Sequence, residues 1–499
     1  MPEALTPKAA GDTMRQSKTA NHLFAPIRVD SRYHPSTERG MENATSRRTV
    51  LIVSTLGSFL TPFMASSINI ALPSIGQEFA MSAVLLSWVA TAYLLAAAMF
   101  LVPFGRAADI HGRKKVFLGG ITVYMVFSLA CGLAPSAAAL IAFRALQGVG
   151  GAMIFGTGVA ILTSVYPANE RGRVLGINVA AVYLGLSLGP FLGGLMTQQW
   201  GWRSIFLLNV PLSLFILAYT IAQVKAEWAG AKGEPFDWRG SILYGVGLAA
   251  LMYGFSRLPG GIGWALVAAG LAGMAGFAAW EMRVSHPVLD IGLFRKSRSF
   301  TFSNLAALIN YCATAAVGFL LSLYLQYIKG FTPRDAGIIL VAQPVVQAVF
   351  SPLAGRLSDR IEPRVVASIG MGLGAVGLGL LTLLGTETEM ALIIACLVLL
   401  GFGFALFSSP NTNAVMSAVE RRLYGVASAT LATMRLVGQT LSMGIVLLVF
   451  SLTIGQVRIT PEYYPAFLGA AKVAFVIFAI LCFGGVFASL ARGNLGNRE

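Results

Sequence analysis

Charge is scarce along this chain. Only 11% of its 499 residues are Asp, Glu, Lys or Arg, against about 25% in an ordinary soluble domain, and mean hydropathy is +0.73. That balance excludes a protein that folds around one core in water. The four cysteines (Cys131, Cys312, Cys396, Cys482) stand alone inside apolar runs, which excludes a disulfide framework or a zinc site. The four histidines all lie outside the apolar runs, so a metal or haem buried among those runs has no ligands. No G-x4-G-K-[ST] loop occurs, which removes the usual basis for ATP-driven work. Acids are scarcer still: Asp109, Glu281, Asp335 and Asp359 stand at the ends of apolar runs, and none stands deep in one.

What the chain has instead is apolar length, with 56% hydrophobic residues and 55 glycines. Stretches of roughly 20 apolar residues separated by short polar loops specify membrane-spanning helices, and continuous runs exclude the alternating strands of an outer-membrane barrel. Fourteen such segments are expected: 50–72, 85–105, 115–134, 138–163, 174–197, 203–224, 239–256, 262–281, 300–327, 335–355, 365–385, 389–410, 425–452 and 465–490. The central pair, 239–281, is shorter and rich in Gly. Residues 1–47 read as a disordered cytoplasmic tail with no signal-peptide core. A start at Met41 is an alternative that mass spectrometry of the amino terminus would decide.

The net charge of +15 reflects topology rather than affinity for nucleic acid. Lys and Arg resist translocation, so basic loops stay cytoplasmic. With both termini inside, the inside segments hold 28 of the 36 Lys and Arg, and six fall outside. Two, Arg144 and Arg435, lie within spans. The expected layout is a six-helix unit (48–226), a linker with an extra two-helix hairpin (227–297), a second six-helix unit (298–491) and a short tail (492–499).

The densest charge cluster is Gly105 to Phe117, GRAADIHGRKKVF, with a weaker echo at Gly355 to Arg364, GRLSDRIEPR. The first resembles the signature loop between the second and third helices of the major facilitator superfamily, through Gly105, Asp109, Gly112, Arg113 and Lys114. Gly105 would let helices approach, Gly112 would permit a tight turn, and Asp109 would latch onto a cation or helix end across the bundle. Ile110 stands where that family usually has Arg. Leu140 to Ala152 resembles the family's fourth-helix motif through Arg144, Gln147 and Gly148, where the Arg is linked to proton coupling. Gly176, Gly185, Gly189, Pro190, Gly193 and Gly194 resemble the fifth-helix motif of the family's antiporters. Glycines four apart make a flat contact face, and Pro190 bends the helix.

Ser66 to Ile75, Trp200 to Pro211, Phe407 to Met416 and Gly425 to Gly438 resemble the fourteen-span drug:proton antiporter branch. That resemblance implies two six-helix bundles plus a hairpin, a midplane substrate site and multidrug efflux by alternating access. It implies protons and a small molecule as partners, the cell membrane as location and a monomer as the working unit. It implies neither an enzyme nor a cofactor. Asp109 and Asp359 would latch opposite halves, with Gly355 beside the second. Candidate cavity residues are Asn69, Trp88, Tyr93, Asn310, Tyr311, Gln326, Gln343, Gln347 and Asn411, joined by Arg144 and Arg435. One departure matters: the branch usually carries an Asp five residues before its first-helix Asn, and here Met64 precedes Asn69. Without that acid, neutral or anionic amphiphiles suit the cavity better than lipophilic cations. Proton coupling would then fall to an acid near a span end, to the Arg144 network or to the substrate. Two alternatives stand beside efflux of many compounds: export of one neutral or anionic metabolite, and a receptor or scaffold built on a transporter fold.

Overall fold

The structure is a computed structural model that describes residues 47–167, 170–289, 291–358, 360–420 and 423–493. The tail expected at 1–47 falls almost wholly outside the described residues, as do Asp359 and 494–499. The described residues belong to one compact unit.

Fourteen long helices form where apolar length leaves the backbone no other way to satisfy its N–H and C=O groups in lipid. They are α1 (Arg47–Glu78), α2 (Ala83–His111), α3 (Arg113–Gly132), α4 (Ala137–Val165), α5 (Arg171–Trp200), α6 (Arg203–Gln223), α7 (Trp238–Arg257) and α8 (Gly261–Glu281). Then follow α9 (Arg298–Ile328), α10 (Pro333–Ser358), α11 (Pro363–Leu381), α12 (Met390–Ser417), α13 (Tyr424–Thr453) and α14 (Tyr464–Leu490). Thirteen are long and apolar enough to span a bilayer by length and composition; α7 falls short. Local signals set the starts. Ser82, Ser136 and Ser297 each accept the N–H of the residue three positions on, the N-cap bond that satisfies a free helix donor. Pro333 opens α10 behind the Thr332 cap.

The pairings repeat. Helix α4 packs on α2 and α3, and α12 packs on α10 and α11; α1 pairs with α5 as α9 pairs with α13. This gives two six-helix halves, α1–α6 and α9–α14. The hairpin α7–α8 is an outrider whose α7 touches α2 and α13, one helix from each half. Tyr244 donates to the Ala98 carbonyl of α2 at 2.9 Å, and Met252 abuts Gly444 of α13.

The halves meet tightly at the end remote from the basic loops. Gln326 Nε2 donates to the Ile70 carbonyl at 3.0 Å and Ser322 Oγ to the Asn69 carbonyl at 2.6 Å. Arg458 Nε donates to the Ala80 carbonyl at 3.0 Å. Helix α5 serves both halves here. A Cβ at Gly185 would lie 2.7 Å from the Phe59 carbonyl, and one at Gly193 would lie 2.8 Å from Ser67 Cα, both on α1. On the adjoining face of α5, Gly194 lies against Pro333 of α10, and Gly337 of α10 lies against Pro190 with no room for a side chain. Toward the basic-loop end the bonds thin out: among the described residues Tyr183 of α5 and Ser408 of α12 lie 3.2 Å apart between their hydroxyls, one turn beyond the residues at the middle of the interface. The halves are held by several bonds at one end and by fewer toward the other.

Candidate functional site

Between the halves lies a cavity of ≈ 200 Å³. Its wall carries Ser66, Asn69, Tyr93, Arg144, Tyr311, Gln343, Gln347, Phe404, Arg435 and Gln439. Of the residues singled out in the sequence, Asn69, Tyr93, Tyr311, Gln343, Gln347 and both arginines line it. Trp88, Asn310, Gln326 and Asn411 do not line it. Trp88 leans on Tyr253 of the hairpin, Gln326 serves the far-end closure, and Asn310 and Asn411 are buried elsewhere between helices. Phe404 and Gln439 escaped sequence reading because nothing in their local pattern distinguishes a cavity wall from a helix contact.

The two arginines differ in their surroundings. Arg144 is 1% exposed. Its Nε donates to the Val89 carbonyl at 3.1 Å, and its Nη1 donates to Gln147 Oε1 at 2.5 Å. Gln147 in turn donates to Ser128 Oγ at 2.7 Å, and the guanidinium lies 4.4 Å from the Tyr93 ring centre. Gly148 presses on the Tyr93 carbonyl, which fixes α2 against α4 at that level. Arg435 is half-buried. It faces the rings of Tyr311 at 5.2 Å and Phe155 at 5.9 Å, and it has no hydrogen-bond partner among the described residues.

Met64, at the position of the branch's acid, is fully buried and lies outside the cavity wall. Its Sδ accepts Asn209 Nδ2 at 3.2 Å, and Asn209 Oδ1 is left without a partner. No acid stands in the wall, and no group of His, Cys, Asp or Glu able to hold a metal occurs among the described residues.

At the signature loop, Gly112 takes φ +119, the left-handed side that a Cβ disfavours. No cross-bundle partner of Asp109 is seen among the described residues. Asp109 pairs with Arg113 four residues on at 2.8 Å, and Arg113 also bonds the Ala160 carbonyl and Ser164, all within the first half. A Cβ on Gly105 would meet nothing within 4 Å, although the Gly105 Cα lies 3.7 Å from where a Cβ on Gly156 of α4 would stand. Gly355 abuts only Ser409 of its own half, and the partner latch at Asp359 falls outside the described residues. The sequence reading also missed what the linker after α6 does. Glu227 takes the Lys114 N–H at 2.8 Å and the Lys115 N–H at 3.2 Å, capping α3 with a carboxylate where the helix dipole favours one. Glu234 pairs with Arg106 and, at 3.0 Å, with His286. The Arg106 bond holds the Glu234 carboxyl below its ordinary value. The linker straps the signature loop to the hairpin.

The Major Facilitator Superfamily model matches residues 54–281 and 304–494. The chain belongs to that superfamily. It is 35% identical over 403 residues to the multidrug resistance protein Stp of Mycobacterium tuberculosis, covering 79% of this chain and 74% of that one. It is 33% identical over 476 residues to the cephamycin export protein CmcT of Amycolatopsis lactamdurans, covering 92% and 96%. It is 28% identical over 445 residues to the tetracenomycin C resistance and export protein of Streptomyces glaucescens, covering 85% and 82%. The fold is similar to that of the peptide transporter POT in complex with sulfate, with TM-score 0.66 at 14% identity over 90% of this chain and 97% of that one. These findings bear out the superfamily fold and a place among its membrane transporters.

Proposed function

We propose that this transporter exports small amphipathic compounds from the cytoplasm by alternating access, as an antiporter driven by the proton gradient. One observation carries the reading: the cavity lies between two halves that are clasped by several bonds at the far end and, among the described residues, by the lighter Tyr183–Ser408 contact toward the basic-loop end. The positive-inside bias puts that lightly held end in the cytoplasm, so loading from the cell interior needs only that contact to give way. Rocking about the cavity would open the far end as the glycine contacts of α5 on α10 separate. The relatives named for multidrug resistance and antibiotic export support the direction of transport. The empty acid position at Met64 leaves the proton to the Arg144 network, to an acid near a span end or to the cargo itself.

The test is efflux of a compound panel from proteoliposomes, with and without an imposed pH gradient. Accumulation that follows the gradient supports antiport. Transport indifferent to the gradient would overturn proton drive, and no transport of any member would overturn the export reading.

A further inference from the structure

We propose that the cavity is a site for an amphipathic organic anion, whose acidic group docks on Arg435 while its apolar body lies along Phe404 and Met443. The word "cargo" for this ligand rests on the export reading above; the binding site does not.

Two guanidinium groups line the cavity wall and no carboxylate does, among the described residues. A cation within a span is costly unless it is hydrated or paired, so the state of each arginine matters. Arg144 has a carbonyl and an amide oxygen as acceptors and is sealed at 1% exposure. Arg435 has neither, and only the ring faces of Tyr311 and Phe155 approach it. A ring face attracts a cation but occupies none of its five N–H donors. The partner that fits a planar fork of donors is a carboxylate, sulfonate or phosphate, which can accept two parallel bonds. Gln343, Gln347 and Gln439 in the same wall can add amide N–H donors. Nearby Phe319, Leu340, Phe404 and Met443 supply an apolar surface for the rest of the molecule. A cationic amphiphile would bring a third positive charge to a wall that has no counter-ion for it.

Three naphthalene probes of one shape test this: 2-naphthoate, neutral 2-naphthylmethanol and cationic 2-naphthylmethylammonium. Equilibrium dialysis is run against the full chain in nanodiscs. The expected result is naphthoate bound at least tenfold more tightly than the ammonium, with the alcohol between. Arg435→Gln should erase that preference and Arg435→Lys should keep most of it. The idea is overturned if the ammonium binds as well as naphthoate, if R435Q keeps the preference, or if no probe binds. Should R435Q fail to fold, the three-probe ranking on the native protein and on R435K decides alone. Naphthoate binding without efflux of any compound would sink the export reading and leave the anion site standing.

Discussion

Arg144 in the first half and Arg435 in the second occupy comparable places. Each rises from a helix that lines the cavity and faces a tyrosine ring, Tyr93 at 4.4 Å and Tyr311 at 5.2 Å. Each is followed within four residues by a glycine pressed on the tyrosine's helix, Gly148 on the Tyr93 carbonyl and Gly438 on the Leu308 carbonyl, which a Cβ on Gly438 would meet at 2.6 Å. The difference is in acceptors. The first-half arginine finds two, and the second-half arginine finds none among the described residues. The same pair of residue types thus serves as an internal brace in one half and as an open docking group in the other. A charge in a membrane helix is therefore not a site by its presence alone; its unspent hydrogen bonds make it one.

The sharpest way to break the comparison is to truncate both arginines. Arg144→Ala strips Gln147 Oε1 of its donor and the helical Val89 carbonyl of its side-chain one at a nearly sealed position, and should cost about 3 kcal/mol, read as a lower unfolding temperature in detergent. Arg435→Ala should cost about 0.5 kcal/mol or less, because it breaks no hydrogen bond. Equal losses would mean that the two arginines do the same job. The glycines give the next test. Gly148→Ala and Gly438→Ala should each cost about 1–3 kcal/mol by forcing helices apart. Only G438A should also weaken naphthoate binding, since it displaces Tyr311 beneath the docking group. If G148A weakens that binding as strongly, the cavity does not divide its labour as argued.

The first half's self-sufficiency extends to its signature loop, and two smaller predictions probe it. Glu227→Gln should lower stability by about 1 kcal/mol, the usual worth of a helix cap, with faster proteolysis of the linker as the local readout. The smallest effect concerns acid. The folded carboxyl of Glu234 titrates below its ordinary value of about 4.5 because Arg106 donates to it. Its contribution is therefore complete above that ordinary value and is lost as pH falls through the lower folded one. Thermal unfolding of Glu234→Gln should show less pH dependence below pH 5 than the native protein. Identical profiles would mean that the strap contributes nothing to stability.

Much of this fold was legible in the sequence because a bilayer leaves few options. Apolar length set the fourteen helices, and even the pair at 239–281 forms as expected, although α7 carries too much polar character to pass as a span by composition. Gly112 announced its turn, and the glycines of α5 announced a contact face. The cavity wall was only half legible. Whether a polar residue faces the cavity depends on the rotation of its helix by a fraction of a turn. Gln326 and Asn411 look no different from Gln343 in a string of letters. The strap was illegible for another reason. Glu227 and Lys114 are joined across 113 residues, and no local pattern encodes that meeting. The local partner of Asp109 could have been read from spacing alone, since Arg113 stands one helical turn away.

The hairpin α7–α8 has a consequence for traffic through the bilayer. By lying over the line where α2 meets α13, it screens that side of the cavity from lipid. The opposite line, where α5 meets α10, has no hairpin laid over it among the described residues. A greasy molecule drifting sideways out of the membrane thus meets two layers of helix on one flank and a single glycine-packed seam on the other. A photoreactive amphiphile in the bilayer should label α5 and α10 ahead of α2 and α13, and even labelling of both flanks would show that the wall leaks.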